Sequence, residues 1–321
     1  MSGLTQSMRR YINDLRTCGR SEATLGRKAR NLAAIVRDAD KLGIALNPQL
    51  LGEPDIRRLL LHWQSAKRGI SSAYQRKLVT ELGRWLAYHG NPTLGKMKAV
   101  GLVKFPPKDD GIVQVLGDEE LARLRAAAAE MRYWTGSVAR FLVGVLPFCG
   151  LRPKEVRLAK LTDLDLDRMR IYVSHPKGEG SWATRDFAPI VEEARPAVAD
   201  YLAERAEYLG ADENDLLIPL RWAGAGGEGI TQPSDAWLRK VKADLVERSG
   251  VKFRGLKTFR ASFAQEAKDR GAPIEAVSRA LRHKTTATTE KWYARIRADN
   301  AFAEIQAAFR RPVVKAKDRA P

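Results

Sequence analysis

Lys257 and Arg260 stand three residues apart in the stretch Gly-Leu-Lys-Thr-Phe-Arg at 255–260. That spacing puts two cations on one face of a helix. His283 follows beyond a Gly-Ala-Pro turn at 271–273, and Tyr293 closes the segment. Two cations, an imidazole and a phenol suit attack of a tyrosine oxygen on a phosphodiester. The cations hold the equatorial oxygens while negative charge builds up, and the phenol becomes a covalent carrier. Taken singly, each residue has a plainer explanation: a lone histidine is more often structural, and Tyr293 beside Trp292 could be a core aromatic.

Two earlier segments carry residues of the same kind. Gly-Leu-Arg-Pro-Lys-Glu at 150–155 puts Arg152 at the start of a helix, where backbone N–H groups also favour an anion. A guanidinium suits phosphate because its planar fork holds two oxygens and stays charged. Glu155, one turn later, reads as a brace for that arginine rather than as a catalyst. Lys177 stands beside Gly178 at the tip of an expected hairpin, where an ordinary exposed turn lysine is the competing reading. His175, two positions earlier, reads as a residue of the hairpin face.

The elements that must position these groups can be read from periodicity and caps. Residues 1–90 read as four helices, near 4–17, from Ser21 onward, near 54–67, and from Ser71 to about 89. Ile56, Leu59, Leu60 and Trp63 form one apolar stripe, and Tyr74, Leu78, Leu82 and Leu86 form another. Arg27, Lys28, Arg76 and Lys77 are assigned to exposed faces of the second and fourth helices. They are candidates for DNA contact, with a simply solvated face as the equal alternative. Residues 91–115 lack periodicity and read as a linker bearing Lys96, Lys98, Lys104 and Lys108, with its core at 106–115. The second part, 116–310, reads as helices near 117–130, 134–148, 191–209, 233–249, 257–270, 273–281 and 286–309. Short strands are expected at 164–166, 170–174 and 182–188. The glycine-rich run at 224–229 lacks the Lys-Ser/Thr of a phosphate-binding loop and reads as a flexible loop. The last helix bears Phe302, Ile305 and Phe309 at helical spacing, either to close its own core or to meet another subunit. Residues 311–321 read as a basic disordered tail.

Composition narrows the partner. The chain has 321 residues, with 56 Lys and Arg against 38 Asp and Glu, for a net charge of +18. That excess favours a polyanion. Residues 1–105 hold 19 of the basic residues against 7 acidic ones. An acidic membrane surface fits less well, because no basic amphipathic anchor with an aromatic face is evident. No apolar run approaches the length of a membrane span. Two cysteines are too few for a disulfide framework and lack metal-ligand spacing, so a reducing cytoplasm is expected. Neither a metal nor a nucleotide cofactor is implied.

The successive boxes at 150–155, Lys177, 257–260, Leu-Arg-His at 281–283 and Tyr293 resemble, in order and spacing, those of the tyrosine recombinase (phage integrase) family. The likeness covers roughly residues 115–310. The helical front piece resembles, with less specificity, that family's core-binding domain. The resemblance implies a mainly α fold: a helical core-binding domain at 1–105, then a mixed α+β catalytic domain with a small antiparallel sheet. It implies that Arg152 and Arg260 bind the scissile phosphate, that Lys177 protonates the leaving 5′ oxygen, and that Tyr293 forms a 3′-phosphotyrosine. Double-stranded DNA is the implied partner, and strand exchange is expected in a homotetramer through a Holliday junction.

Three positions depart from the family pattern. Lys257 replaces a frequent histidine; it can still donate to a phosphate oxygen but is a poorer base near neutral pH. That leaves His283 as the better candidate to hydrogen-bond the phosphate or take the tyrosine's proton. Arg282 stands where glycine usually precedes the histidine, and either adds a phosphate contact or alters the turn. Tyr293 lies ten residues after His283 where nine is common. Some archaeal viral integrases resemble this chain in both the lysine and the longer spacing, which implies kinship with that branch. Two rivals stay open on sequence: a type IB topoisomerase-like enzyme that reseals the same strand, and a DNA-binding protein that has lost activity.

Overall fold

The computed structural model describes residues 3–65, 68–103, 113–179, 183–224, 227–293, 305–306 and 309–310. Lys104, Lys108, Trp182, Phe302 and the 311–321 tail, all invoked above, lie outside the described residues. The chain divides into two compact units, Met1–Gly111 and Ile112–Pro321.

The first unit is helical: α1 (Gln6–Thr17), α2 (Glu22–Lys41), α3 (Glu53–Gln64), α4 (Ser72–Tyr88) and α5 (Thr93–Ala99). Side-chain caps start two of these helices, with Thr5 accepting from Met8 N–H and Ser71 from Tyr74 N–H. One core runs through all five, with Met8, Ile12, Leu32, Ile35, Ile56, Trp63, Leu82, Trp85 and Leu94 almost wholly buried. The helix α5 corrects the expectation of an irregular linker from 91. The Asn91 amide donates to the carbonyls of Pro48 and Leu51, and its oxygen accepts from Thr93 N–H at 2.9 Å. That anchor starts a turn whose Leu94 and Met97 then join the core. Lys96 and Lys98 therefore ride on a helix.

Lys28 is a second correction. It is buried, not on an exposed face, and its ammonium lies 2.6 Å from Glu81. It also donates to the Tyr11 hydroxyl at 3.1 Å, and Tyr11 in turn donates to Glu81 at 3.3 Å. A buried carboxylate on α4 requires a cation, and Lys28 on α2 supplies it. Arg27 and Lys77 are exposed and Arg76 is partly so.

The second unit begins with α6 (Asp118–Glu130) and α7 (Tyr133–Val145), followed by the short α8 (Pro153–Leu158). A three-stranded antiparallel sheet comes next, β1 (Leu164–Asp165), β2 (Arg170–Val173) and β3 (Asp186–Pro189), in the order β1-β2-β3. After α9 (Arg195–Leu209), β4 (Leu220–Gly224) and β5 (Gly227–Thr231) pair as a hairpin. The run read as a flexible loop thus supplies two strands, and the indole of Trp222 lies against Gly229, where a Cβ would come within 3.1 Å of it. The rest is α10 (Asp235–Ser249), α11 (Lys257–Asp269), α12 (Ile274–Ala280) and α13 (Thr286–Tyr293).

The apolar face of α7 forms the middle of this unit, with Val138, Leu142 and Val143 fully buried. A smaller cluster joins Phe263 and Ala264 of α11 to Val277 and Leu281. Ile305 and Phe309 are exposed. No helix among the described residues is long and apolar enough to cross a membrane.

Replacing Lys28 with alanine leaves the Glu81 carboxylate buried without its cation. Urea unfolding of the full chain is expected to show the first unit weakened by about 3–5 kcal/mol. Lys77→Ala, at an exposed site, is expected to cost less than about 0.5 kcal/mol.

Candidate active site

Arg152 is the N-cap of α8, with Pro153 in the first helical position. Glu155 closes the cap by accepting from Arg152 N–H at 2.9 Å, and it also takes the guanidinium at 2.6 Å. Oε2, the oxygen that accepts from Arg152 N–H, also accepts from Arg282 Nη2 at 2.6 Å. The carboxylate is almost wholly buried, with 1% of its side chain exposed, while Arg282 keeps 7% and Arg152 20%. Burial pushes the Glu155 carboxyl up, but Arg282 and then Arg152 outweigh it and hold the group below the usual range. The reading of Glu155 as a brace therefore fits its geometry, and the brace grips two arginines.

Arg282 turns its side chain inward onto Glu155 and keeps only 7% of that side chain exposed. It occupies the left-handed region at φ 53°, just past the end of α12. Arg282 N–H bonds the Arg279 carbonyl at 2.8 Å and His283 N–H the Ser278 carbonyl at 3.0 Å. These two bonds define a Schellman ending, whose left-handed position glycine usually fills. An arginine there carries a steric cost of about 1 kcal/mol, which the buried contact with Glu155 offsets. The local turn keeps its form.

Arg260, on the first turn of α11, is 2% exposed. Its Nη1 donates to the Gly150 carbonyl at 2.7 Å and its Nη2 to the Leu281 carbonyl at 2.5 Å. The same Nη2 lies 3.0 Å from His283 Nε2. Gly150 itself is left-handed at φ 60°, and a Cβ there would sit 2.7 Å from the Phe263 ring. Only glycine lets the 150–155 segment approach α11 closely enough to share this arginine.

His283 Nδ1 is 2.8 Å from the Thr289 hydroxyl on α13. Burial lowers the imidazole first, and the Arg260, Arg152, Lys257 and Arg282 charges lower it further, to about 4. It is therefore neutral near pH 7. Lys257 opens α11, and it too lies below the ordinary lysine range, through burial and then Lys177, Arg260 and Arg152. Lys177 is exposed in the turn after β2, next to Gly178 at φ 95°. His175 bonds Glu179 at 3.1 Å across that turn, as a hairpin-face residue would. Cys149 is fully buried, and burial pushes its thiol up to about 12, so it is no nucleophile.

The structure thus brings Arg152, Lys257, Arg260, Arg282 and His283 into one electrostatic neighbourhood, with Lys177 acting on it through Lys257. Tyr293 ends α13, whose backbone is described; its side chain is outside the described residues. Thr289 was passed over in the sequence. The only signal was a pair of threonines inside a predicted helix, where β-branched side chains are unfavourable unless packing or bonding rewards them. Among the described residues no group of three or more His, Cys, Asp or Glu could hold a metal ion.

Four cations share this neighbourhood with one carboxylate, so fold and site define a mostly helical protein with a concentrated excess of positive charge. Residues 114–300 match the profile of the phage integrase family, and the chain belongs to that family. Tyrosine recombinase XerD of Caulobacter vibrioides is 26% identical over 230 residues, which is 70% of this chain and 71% of that protein. Tyrosine recombinase XerC of Chromohalobacter salexigens is 29% identical over 143 residues, or 44% and 43% of the two chains. The match thus spans less than half of the XerC relative. The fold is shared with the XerH site-specific recombinase bound to palindromic difH substrate in a post-cleavage complex (TM-score 0.68, 17% identity, 92% of this chain and 83% of that one). It is also shared with a lambda integrase dimer bound to a COC′ core site (TM-score 0.62, 16% identity, 89% and 76%). Kinship with an archaeal viral branch rests on Lys257 and the ten-residue spacing alone.

Two outcomes follow for the DNA-free protein. The unfolded chain takes up a proton at His283 near the ordinary 6.5, and the folded chain only near about 4. Stability therefore falls as pH drops through that window. His283→Gln is expected to lose less melting temperature between pH 6.5 and 4 than the wild type; equal losses would contradict a neutral buried imidazole. Arg282→Gly relieves the left-handed cost of about 1 kcal/mol but breaks a buried ion pair worth about 3 kcal/mol on removal of one partner. A net loss of about 2 kcal/mol in denaturant unfolding is expected.

Proposed function

We propose that this chain is a site-specific recombinase that cleaves and rejoins double-stranded DNA through a 3′-phosphotyrosine. Arg152 and Arg260 take the non-bridging oxygens of the scissile phosphate and neutralise the charge that grows on them. The Tyr293 oxygen attacks phosphorus, the bond from phosphorus to the 5′ oxygen breaks, and the 3′ side stays on the enzyme. Lys177 gives the leaving 5′ oxygen its proton. Lys257 adds a further donor, and its depressed pKa lets it exchange a proton closer to neutral pH than an ordinary lysine.

The phenol's own proton passes to His283 Nε2, whose lone pair is released when Arg260 turns that N–H from the imidazole to the phosphate. An imidazole held near 4 by burial and then by the surrounding cations is a weak base in the empty site. A phosphodiester anion cancels much of that field and raises it toward neutrality. Substrate binding thus prepares the base. Rejoining reverses the step, and since one phosphodiester replaces another, no cofactor is needed.

The observation that supports this reading most strongly is the convergence of the Arg260, Arg152, Lys257 and Arg282 charges on one neutral histidine. The XerH recombinase and lambda integrase that share the fold are bound to DNA, which supports DNA as the substrate. Arg27, Arg76 and Lys77 in the helical unit are proposed to contact the DNA backbone, while Lys28 is committed to Glu81. Exchange is proposed to run in a homotetramer on paired sites through a Holliday junction, in the cytoplasm.

The test is a pool of nicked duplexes of randomised sequence incubated with the purified full chain. Adducts that survive detergent are recovered and sequenced, which also reveals the site. Wild-type protein is expected to yield adducts and Tyr293→Phe none. Adducts formed equally by Tyr293→Phe would assign the nucleophile elsewhere.

A further inference from the structure

The bond between His283 and Thr289 has a direction that the neighbouring arginine fixes. A guanidinium only donates hydrogen bonds, so His283 Nε2, at 3.0 Å from Arg260 Nη2, accepts. A neutral imidazole carries one proton, which must then sit on Nδ1. Nδ1 faces the Thr289 hydroxyl at 2.8 Å, so it donates and the hydroxyl oxygen accepts. Thr289 is completely buried, and a buried hydroxyl with this partner is more than a helix-packing residue. A solvent-facing threonine could form and lose such a bond at little cost; this one has no water to fall back on.

Thr289 lies on α13, and Tyr293 stands one helical turn further along the same helix. The chain of bonds therefore runs from Arg260, which is clamped to the carbonyls of Gly150 and Leu281, through the imidazole to the helix that bears the proposed nucleophile.

We infer that Thr289 is a positioning residue of the strand-cleavage site: by accepting the hydrogen bond from Nδ1–H it holds His283 in the tautomer whose Nε2 lone pair faces Arg260, and it fastens the Tyr293 helix to the proposed phosphate-binding arginine. Docking of α13 and selection of the tautomer become a single event. With the helix displaced, Nδ1 loses its acceptor and the ring is free to turn or exchange its proton. With the helix seated, Nε2 is the basic nitrogen. The inference rests on the proposed function, because it assigns the geometry to strand cleavage.

The test compares Thr289→Val, which keeps the shape and removes the hydroxyl, with Thr289→Ser, which keeps the hydroxyl. Long-range proton–nitrogen spectra of the histidine rings in the DNA-free full chain at pH 7, assigned with His283→Gln, read the tautomer. Single-turnover adduct formation is measured on a nicked duplex recovered from the randomised pool, and binding to the same duplex is measured separately. The expected result is an Nδ1–H imidazole in the wild type and Thr289→Ser, and its loss in Thr289→Val. Adduct formation is expected to fall about 100-fold in the valine variant, with DNA affinity within about twofold and recovery in the serine variant. A valine variant that keeps either the tautomer or the cleavage rate overturns the inference, as does a serine variant as impaired as the valine. Wild-type protein that forms no adduct with any duplex overturns the functional reading instead, and the spectra then judge the hydrogen bond by themselves.

Discussion

The site depends first on one buried carboxylate. Positive groups gathered this closely repel one another, and burial strengthens that repulsion. Glu155 is the counterweight. It caps its own helix, holds the guanidinium of Arg152 and takes that of Arg282 from 127 residues away in the chain. An exposed ion pair of this kind would contribute little. Here the carboxylate is nearly sealed from water, so each arginine lost from it exposes a large desolvation cost. The result is a cluster of cations held in fixed directions by the protein itself.

Arg260 is held differently, by backbone. Two carbonyls and an imidazole take its N–H groups, and carbonyls fixed by helix ends and a glycine turn cannot drift as a flexible side chain can. The site therefore mixes one partner that balances charge with several that only fix direction. That mixture leaves a net positive charge: Glu155 offsets part of it, and the carbonyls fix direction without cancelling the rest.

Much of this was legible in the sequence. The boxes at 150–155, 257–260 and 281–283 named the cations and the histidine because spacing within a short helix or turn is a local property. Strands β1 to β3 and most helices followed from alternation and caps. What failed was of two kinds. Composition misled at 93–99 and 224–229, where prolines and glycines suggested irregular chain, but Asn91 and Trp222 supply order from outside those segments. Lys28 failed for another reason. It lies between Leu25 and Leu32 on the stripe that also includes Ile35, so its position pointed inward while its chemistry pointed outward, and only Glu81 on another helix reconciles the two. The partnerships of Arg282 with Glu155 and of His283 with Thr289 join separate elements, and periodicity carries no information about which elements meet.

The turn ending α12 has a consequence for how such sequences change through descent. A glycine at 282 would relax the backbone yet strip Glu155 of a partner, and a neutral residue at 155 would strand two arginines. Neither exchange is easy alone, so the two positions are expected to drift together. A lineage that drew a long side chain into the left-handed slot has tied a turn's shape to a distant carboxylate, and reverting to glycine there would call for a compensating replacement near Glu155.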